Sequence, residues 1–546
     1  MKNKILRVVS LMLCFAMLVS GGAFNAYAAD ESIGDAAMKG LYNALNVVVE
    51  VLVKGICAMY PDPPSWQDMS EYDSEEIGFL PGRETYQTEA AEGNVWSLGY
   101  SSRSILPEDV ESGKYNLGRD LTNKLAQGVY DDQRIRVAVI DDNSGEGAVV
   151  IGAIDSLGVT STDTRAMRKE ILKYCEENGK KVASINIVAT HGHSALDTQG
   201  VSTEFFKKLF GNFFYNLLGI KDSLPGLETA DFFKEYFIAQ SVEAIKEAFA
   251  DAETGELYFA SAECGEFVKD KRGLIAKEDI PEVAILRFVP FSGNEETFIA
   301  DITCHPTSFS ASHNLVGSDY IYYLDEYIRQ ENGGNFVMVP GALGQVSRDL
   351  DVNTEGMTAE EEIGASASAL GKEFGKVILA ADYSVKLDPI LNAAHREIFI
   401  SPENSILTLA CEIRLVNNKI FTDGVLLKEA KMATEIGYVE FGGKVGFALF
   451  PGELYPETFW GEEINGGATW DGTQWQFDSL ANSVEGVSVY AVSLANDAIG
   501  YVLTDNNFAF MGHIIGDGIA DEVLSVGKHI GSFLVTEYLE VIKDLK

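Results

Sequence analysis

Two of the chain's seven histidines lie one residue apart, in the stretch INIVATHGHSALDT from Ile185 to Thr198. The apolar residues before them predict a β-strand, so His191 and His193 stand where that strand ends. If the strand continued through both, their imidazoles would face the same side, because side chains alternate along a strand. Two imidazoles suit a divalent metal, or one metal ligand beside an acid–base group. A lone H-x-H is more often a hydrogen-bonded loop, so the motif is weak by itself.

Other residues with useful chemistry also follow predicted strands. His305 ends the strand in DITCHPTS, Glu453 lies in the turn PGEL, and Tyr501 follows the strand in VSVYAVSLAND. Asp197 is close enough in sequence to orient one of the first two rings. Without further information the acid would be a solvated loop residue and the tyrosine a packed aromatic. Three of seven histidines at strand ends are harder to dismiss, because ligand sites in α/β sheets form at that edge.

The elements that must position these residues form an α/β pattern. The segments 134–142 and 147–155 predict a hairpin around NSGE, and a helix over 162–178 leads to the strand over 181–190. Strand, helix and strand in this order predict a βαβ unit, and hence mixed β-sheets flanked by helices. A second strand pair is predicted around SGNE, with long helices near 228–250, 359–381 and 517–545. We expect a single large catalytic domain with a metal site at the C-terminal ends of its strands.

The N-terminus and the charge limit where the protein works and what it binds. A basic start, an apolar run from Val8 to Val19 and the pattern Ala26-Tyr27-Ala28 predict a signal peptide over 1–28 and secretion. The formal net charge of −40 repels nucleic acid, which we exclude as a partner. The five later cysteines are scattered, so they predict neither a disulfide framework nor a cysteine-ligated zinc site, and most should be buried.

Residues 29–68 predict a helical extension and a linker before a catalytic domain over 94–546. The apolar stretch 33–57 is predicted to be helical, and the turn-rich YPDPPSWQD follows it. Its charges at Lys39, Glu50 and Lys54 argue against a membrane span. A helix that covers the core is the simpler interpretation, and a membrane-surface or lid helix is the alternative.

Six segments carry a resemblance to a known family: IDDNSGEGAVVIGAID, ATHGHSALDT, CHPTS, GALGQVS, LFPGELYPE and LANDAIGYVLT. Their order and spacing resemble those of the neutral (alkaline, non-lysosomal) ceramidases, over roughly residues 94 to 546. The resemblance implies a zinc amidohydrolase that cleaves the N-acyl bond of ceramide, giving sphingosine and a fatty acid. It also implies one Zn²⁺ ligated by His191, His305, Glu453 and Tyr501, with His193 handling the proton beside the metal water.

The resemblance assigns a catalytic serine, Ser347, in a loop that departs from the family. The family hexapeptide G-D-V-S-P-N is GQVSRD here, so the serine is kept but three of its neighbours are replaced. Arg272 in KDKRG stands in for a family Asn-Arg pair as a substrate-binding residue, and His513 falls where the family has a second tyrosine. The family's C-terminal immunoglobulin-like lobe is expected to be absent. An additional Ca²⁺ or Mg²⁺ is left open.

The phenylalanine-rich stretch 204–220 bears on the substrate. Its apolar side chains, Phe213 and Phe214 among them, cover nearly a whole helix surface, which favours a buried helix. The alternative is a wall for an acyl chain or a face that touches a membrane. The expected partners are therefore an amphiphilic lipid substrate and a peripheral membrane contact, with no protein partner. Two rival functions stay open: a metal-dependent hydrolase of another amide or ester, and a lipid-binding homologue that has lost its chemistry.

Overall fold

The computed structural model describes residues 35–545, except 76, 120–122, 223, 228, 310–312, 424–428, 462–463, 465–468, 511–512 and 514–520. The predicted signal peptide lies outside the described residues, so its removal and the secretion of the chain stay predictions.

Helices and strands alternate along most of the chain. The helices are α1 (Asp35–Cys57), α2 (Ser161–Glu177), α3 (Phe205–Leu217), α4 (Ala230–Asp251), α5 (Tyr320–Glu331), α6 (Ala359–Ala380), α7 (Ser405–Glu412), α8 (Pro456–Trp460) and α9 (Ile530–Asp544). The strands are β1 (Gln67–Asp68), β2 (Trp96–Ser104), β3 (Gly128–Val129), β4 (Arg134–Asp141), β5 (Ala148–Ile154), β6 (Val182–Ala189), β7 (Glu253–Ala262), β8 (Val268–Asp270), β9 (Val283–Pro290), β10 (Thr297–Ile302), β11 (Leu315–Val316), β12 (Asn335–Pro340), β13 (Val346–Arg348), β14 (Val385–Leu387), β15 (Leu391–Ile400), β16 (Ile420–Asp423), β17 (Glu429–Phe441), β18 (Val445–Leu449), β19 (Glu453–Leu454), β20 (Ser488–Val492) and β21 (Tyr501–Val502).

The larger sheet contains the predicted βαβ unit. Its strand order is β12-β10-β9-β7-β2-β4-β5-β6, with β14 paired to β7. The hairpin β4–β5 is antiparallel, and β6 returns parallel to β5 after α2. The residues of β5 are buried throughout, which explains the continuous apolar run in its sequence, because both faces of the sheet are covered.

A second sheet packs against the first. Its order is β1-β16-β17-β18-β20, with β15 paired to β17. Alternate residues of β17 explain the layering: Val439 packs toward the larger sheet, whereas Tyr438 packs with Leu534 and Tyr538 of α9. Similarly, Ile299 of β10 faces the second sheet, while its neighbours face α5 and α6. The prediction of mixed β-sheets flanked by helices is therefore confirmed.

Two parts of the sequence fold differently from the prediction. Of the helix predicted over 517–545, residues 517–520 lie outside the described residues, and from 521 onward a short 3-10 turn, Asp521–Leu524, precedes a helix that begins at Ile530. The end of the predicted linker and the segment after it pack on the body: β1 joins the second sheet, and Arg83 forms a buried ion pair with Asp142 at 2.8 Å. The exact domain boundaries stay a prediction.

The N-terminal helix α1 is mostly exposed. Residues 39–57 are long and apolar enough to cross a membrane, yet only 17% of them are buried. The cysteines after the predicted signal peptide are free, and four of these five are buried, as expected.

Candidate active site

Main-chain carbonyl groups hold the rings of His191 and His305. His191 lies just beyond β6 with a positive φ of 69°, and its Nδ1 lies 2.8 Å from the carbonyl oxygen of Leu157. His305 follows β10, and its Nδ1 lies 2.7 Å from the carbonyl oxygen of Leu343. A carbonyl oxygen can only accept, so each Nδ1 carries the proton. In the neutral ring the Nε2 lone pair is then free to bind a metal.

A single carboxylate joins these two rings. Glu453 places Oε2 3.0 Å from His191 Nε2, and Oε1 3.1 Å from His305 Nε2. Burial alone would raise the pKa of Glu453, but the charges of His191 and His305 hold it well below its usual value. Conversely, burial would lower the pKa of His191, and the charge of Glu453 raises it overall. Glu453 and His191 therefore stabilise each other's charged forms.

Glu453 and Tyr501 are brought together by a short parallel strand pair. They are direct partners in the register of β19 and β21. Burial raises the pKa of the Tyr501 hydroxyl, and the neighbouring carboxylates of Glu453 and Asp521 raise it further. Tyr501 lines the same cavity as His191 and Glu453, so all four ligands that the resemblance implies meet in one place.

His193 lies at the same place in different surroundings. Its ring centroid is 4.8 Å from that of His191 and 5.6 Å from that of His305. Burial lowers its pKa well below the usual value for histidine, and the charges of the two neighbouring rings lower it further. His193 is therefore neutral when those rings carry charge, and able to accept a proton.

The unpaired atoms of this cluster fit a divalent metal. His193 Nε2 is buried and has no hydrogen-bond partner among the described residues, and His191 Nε2 and Glu453 Oε1 have only the ion-pair contacts at 3.0 and 3.1 Å. One ligand atom from each of the three histidines lies within 4.8 Å of the others. Buried polar atoms are normally satisfied, and nitrogen and carboxylate atoms converging in this way suit Zn²⁺. In the described part of the chain, no second such group was found for an additional Ca²⁺ or Mg²⁺.

A cavity of about 500 Å³ opens beside the cluster. Most of its wall is apolar, from residues Leu157, Val201, Leu407, Val416, Met432, Leu494, Ala498, Ile499 and Leu524. Its polar groups come from residues Arg119, Thr160, Gln199, Asn417 and Asn418. An apolar wall with a few polar groups near a reactive cluster is suited to an amphiphile.

Ser347 lies next to the cluster but not on the cavity wall. It is 6% exposed, and its strand β13 pairs with β8. The preceding Val346 accepts a hydrogen bond of 2.9 Å from the His305 main-chain N–H, so the serine strand supports that histidine. Gln345, where the family has aspartate, donates to Asp521 at 2.5 Å. The role of Ser347 stays a prediction.

Arg272 is placed in a structural network. Its guanidinium donates to both carboxylate oxygens of Glu457, at 2.6 and 3.0 Å, and to Asp270 at 3.0 Å. It also stacks over the ring of Tyr455, 4.6 Å from the ring centroid. These contacts engage its planar donor groups, and Arg272 does not line the cavity. The structure therefore does not bring this predicted substrate-binding residue to the substrate space.

The two predicted substrate-binding phenylalanines are also outside the cavity wall. Phe213 is buried and packs edge-on against Tyr60, with ring centroids 5.5 Å apart. Phe214 is 53% exposed. The helix is therefore neither fully buried nor a wall of this cavity.

Some functional contacts have no clear signal in the sequence. Asp197, expected to orient a histidine ring, instead accepts hydrogen bonds from the main-chain N–H groups of residues 199, 200 and 202. The rings are held by carbonyl oxygens, which no side-chain pattern can reveal. Arg119 was also missed, because a lone arginine in NLGRD has no distinguishing neighbours. His513, at the position of the family's second tyrosine, forms an ion pair with Glu522.

No family model and no curated protein matches this sequence. Among solved structures, the chain is similar to a crystal structure of neutral ceramidase from Pseudomonas aeruginosa. That similarity has a TM-score of 0.57 and 15% identity, and covers 83% of this chain and 75% of that chain. A ceramidase complexed with C2 is similar over the same shares, with 15% identity and a TM-score of 0.59. The chain therefore has the fold of the neutral ceramidases.

Proposed function

We propose that this protein is a secreted zinc-dependent amidohydrolase that cleaves the N-acyl bond of ceramide or a similar N-acyl amphiphile. The observation that supports this most directly is the convergence of His191, His305 and Glu453 around unpaired buried atoms. They lie beside an apolar cavity of about 500 Å³ in a chain with the neutral ceramidase fold.

In this proposal His191, His305, Glu453 and Tyr501 hold one Zn²⁺. The carbonyl oxygens of Leu157 and Leu343 fix the two imidazoles, and both Nε2 atoms face the carboxylate of Glu453. A bound Zn²⁺ lowers the pKa of a coordinated water to about 7 and polarises the amide carbonyl.

The protein's own groups move the proton and place the substrate. His193 accepts a proton from the attacking water at its unpaired Nε2 and returns it to the leaving amine, since burial lowers its pKa and keeps the ring neutral before the reaction. Arg119 lines the cavity, and its guanidinium, one nitrogen of which donates to the His313 carbonyl oxygen at 3.0 Å, offers its other donors to the polar head of the substrate. The apolar wall encloses an acyl chain and excludes water from the amide.

Metal analysis combined with an activity assay tests this function. Purified protein should contain about one zinc per chain and hydrolyse a fluorescent ceramide, and a chelator should remove both properties. Added zinc should restore them, which controls for unfolding. Full hydrolysis by demonstrably metal-free protein would refute zinc catalysis, and a zinc-free, inactive protein that binds ceramide would favour a lipid-binding role.

A second candidate is hydrolysis of another amide or ester. It is favoured by the altered loop around Ser347. There Gln345 replaces the family's aspartate and donates a hydrogen bond to Asp521. A panel of N-acyl sphingoid bases, lipopeptides and long-chain esters separates the two candidates. Higher kcat/KM on a non-sphingoid substrate would replace ceramide in the proposal while keeping the metal site.

A further inference from the structure

The N-terminal helix α1 has two apolar faces, and the described residues cover only one. Val53 and Ile56 are fully buried, in a cluster with residues of α3 and α7. Leu41, Val47 and Val51 are 50–64% exposed, on the opposite side. At 100° per residue, these three fall within about 120° of the helix circumference. The exposed valines are thus a continuous stripe.

Helix α3 buries several polar side chains beside apolar ones, unlike an ordinary surface helix. Its inward side chains Lys208, Asn212 and Asn216 donate hydrogen bonds of 3.0, 2.7 and 2.8 Å to main-chain carbonyl oxygens. Its outward side chains include Phe206 and Leu217, which are 36% and 51% exposed. A helix facing water places its polar residues outward. The outer face of α3 therefore fits an apolar medium better than water.

The two helices meet through their buried sides, next to the active-site cavity. Tyr60, just after α1, donates a hydrogen bond of 2.9 Å to the carbonyl oxygen of Leu209 in α3. Leu407 and Val416 pack on the cluster that joins these helices, and both also line the cavity. Val201, which lines the cavity too, lies four residues before α3. We call the exposed faces of α1 and α3, with Leu218, the apolar shelf.

We propose that the apolar shelf docks the protein peripherally on a lipid bilayer with zwitterionic headgroups. Tyr42 near the start of α1 is buried against Trp470, and Ile56 near its end is buried in the cluster. Because α1 is held to the body at both ends, its stripe lies along the membrane plane and does not cross the bilayer. Lys39, 5.0 Å from the Trp470 ring centroid, completes an aromatic–lysine group of the kind found at headgroup depth.

The net charge of the chain decides which apolar surface covers the shelf: an anionic bilayer, a zwitterionic bilayer or a second copy of the protein. At a net charge of −40, the protein is repelled by anionic lipids and by a second copy of itself. A zwitterionic bilayer has neither penalty. Docking places the cavity beside the layer in which an N-acyl amphiphile resides, so the substrate enters from the bilayer. This last step rests on the proposed function, whereas the docking itself does not.

Vesicle flotation of the full chain tests the docking. Wild type should float with phosphatidylcholine vesicles, and a variant carrying Val48→Ser, Val51→Ser, Leu217→Ser and Leu218→Ser should float at least tenfold less. These side chains are 51–72% exposed, so the fold should survive, which circular dichroism checks. Phe291→Ser is the matched control, because Phe291 is 62% exposed in the β9–β10 loop, and it should float like wild type.

Several outcomes would overturn the docking proposal. They are equal flotation of wild type and the shelf variant, binding only to anionic vesicles, and retention after an alkaline carbonate wash, which indicates insertion. Shelf-dependent dimers in sedimentation without flotation would assign the surface to self-association instead.

An activity comparison tests delivery separately. The shelf variant should lose at least tenfold in rate on ceramide in vesicles, and keep the wild-type rate on a detergent-dispersed short-chain substrate. Equal losses on both substrates would overturn delivery from the bilayer. If wild type hydrolysed neither substrate, the proposed function would be refuted. The flotation assay would still test the docking.

Discussion

At the scale of single residues, the two histidines of the H-x-H motif have different tasks. His191 has its Nδ1 fixed by a carbonyl oxygen and its Nε2 3.0 Å from Glu453, which is the environment of a metal ligand. The His193 ring lies at 88° to that of His191, and its Nε2 has no partner among the described groups. Burial lowers its pKa, so the ring is neutral and its Nε2 lone pair can accept a proton.

Substituting each histidine separates these tasks. We expect His191→Ala to lose zinc and activity together. We expect His193→Ala to keep close to one zinc per chain and lose about 10²- to 10⁴-fold in kcat, the usual contribution of a general acid–base group. Plasma mass spectrometry and single-substrate kinetics measure both. Zinc loss in His193→Ala would make His193 a ligand, since the three histidines are close enough to bind one ion.

At the scale of elements, two turns hold the acidic and phenolic groups side by side. Glu453 follows Gly452, and Tyr501 follows Gly500, so each residue begins its strand directly after a glycine. Gly500 has a φ of 95°, and a Cβ there would lie 1.8 Å from the carbonyl oxygen of Leu524. The main-chain oxygen of Gly500 also accepts a hydrogen bond of 2.9 Å from the Glu453 N–H. The turn thus sets the register of both groups.

The variant Gly500→Ala should therefore disrupt the site through the backbone. We expect the free energy of unfolding to fall by about 2–4 kcal/mol, from strain and the close contact, with weaker zinc binding. Gly486→Ala is the control: its φ is 79°, but nothing lies within 4 Å of the added Cβ. It should cost about 1–2 kcal/mol and leave zinc affinity unchanged. Denaturant unfolding and zinc titration measure these effects, and an unchanged affinity in Gly500→Ala would contradict the positional role.

The sequence predicts elements that have a strong local pattern. It does not predict contacts between residues that lie far apart in the sequence. The alternation and caps around α2 predicted the βαβ unit, because periodicity is a local property. The pairing of Glu453 with Tyr501 needed a family resemblance, since nothing near either residue indicates a partner. The inward polar stripe of α3 was hidden for the same reason: Lys208 and Asn212 bond carbonyl groups at the end of α7. The phenylalanines on its outer face therefore misleadingly favoured a buried helix.

At the scale of the whole molecule, polar side chains connect the two sheets, in addition to the apolar residues that pack between them. Arg168 of α2 forms a two-bond ion pair with Glu435 of β17, at 2.6 and 2.7 Å. Beside it, His395 Nε2 in β15 lies 2.7 Å from the Ser184 hydroxyl in β6. The side chains of Arg168, Glu435 and His395 are only 1–2% exposed. Both contacts link the larger sheet or its helix to the second sheet, so their ionisation affects the assembly of the whole fold.

The titration of His395 should therefore appear in global stability. Burial lowers its pKa, the charge of Glu435 opposes this and that of Arg168 adds to it, so the pKa falls from 6.5 to about 4. Between these values the unfolded chain binds a proton that the folded chain does not, so stability rises with pH across this window. The contribution present above pH 6.5 should fall by about 3 kcal/mol on acidification to pH 4.

His395→Gln isolates this contribution, because glutamine does not titrate and can still bond Ser184. The unfolding free energy of wild type minus that of the variant should fall by about 3 kcal/mol from pH 7 to pH 4. Urea unfolding at closely spaced pH values measures it, and taking the difference cancels the other titrating carboxylates. Parallel pH profiles for the two proteins would mean that His395 keeps an ordinary pKa in the folded state. The contact between the sheets would then tolerate a charged ring, and acid would weaken the fold elsewhere.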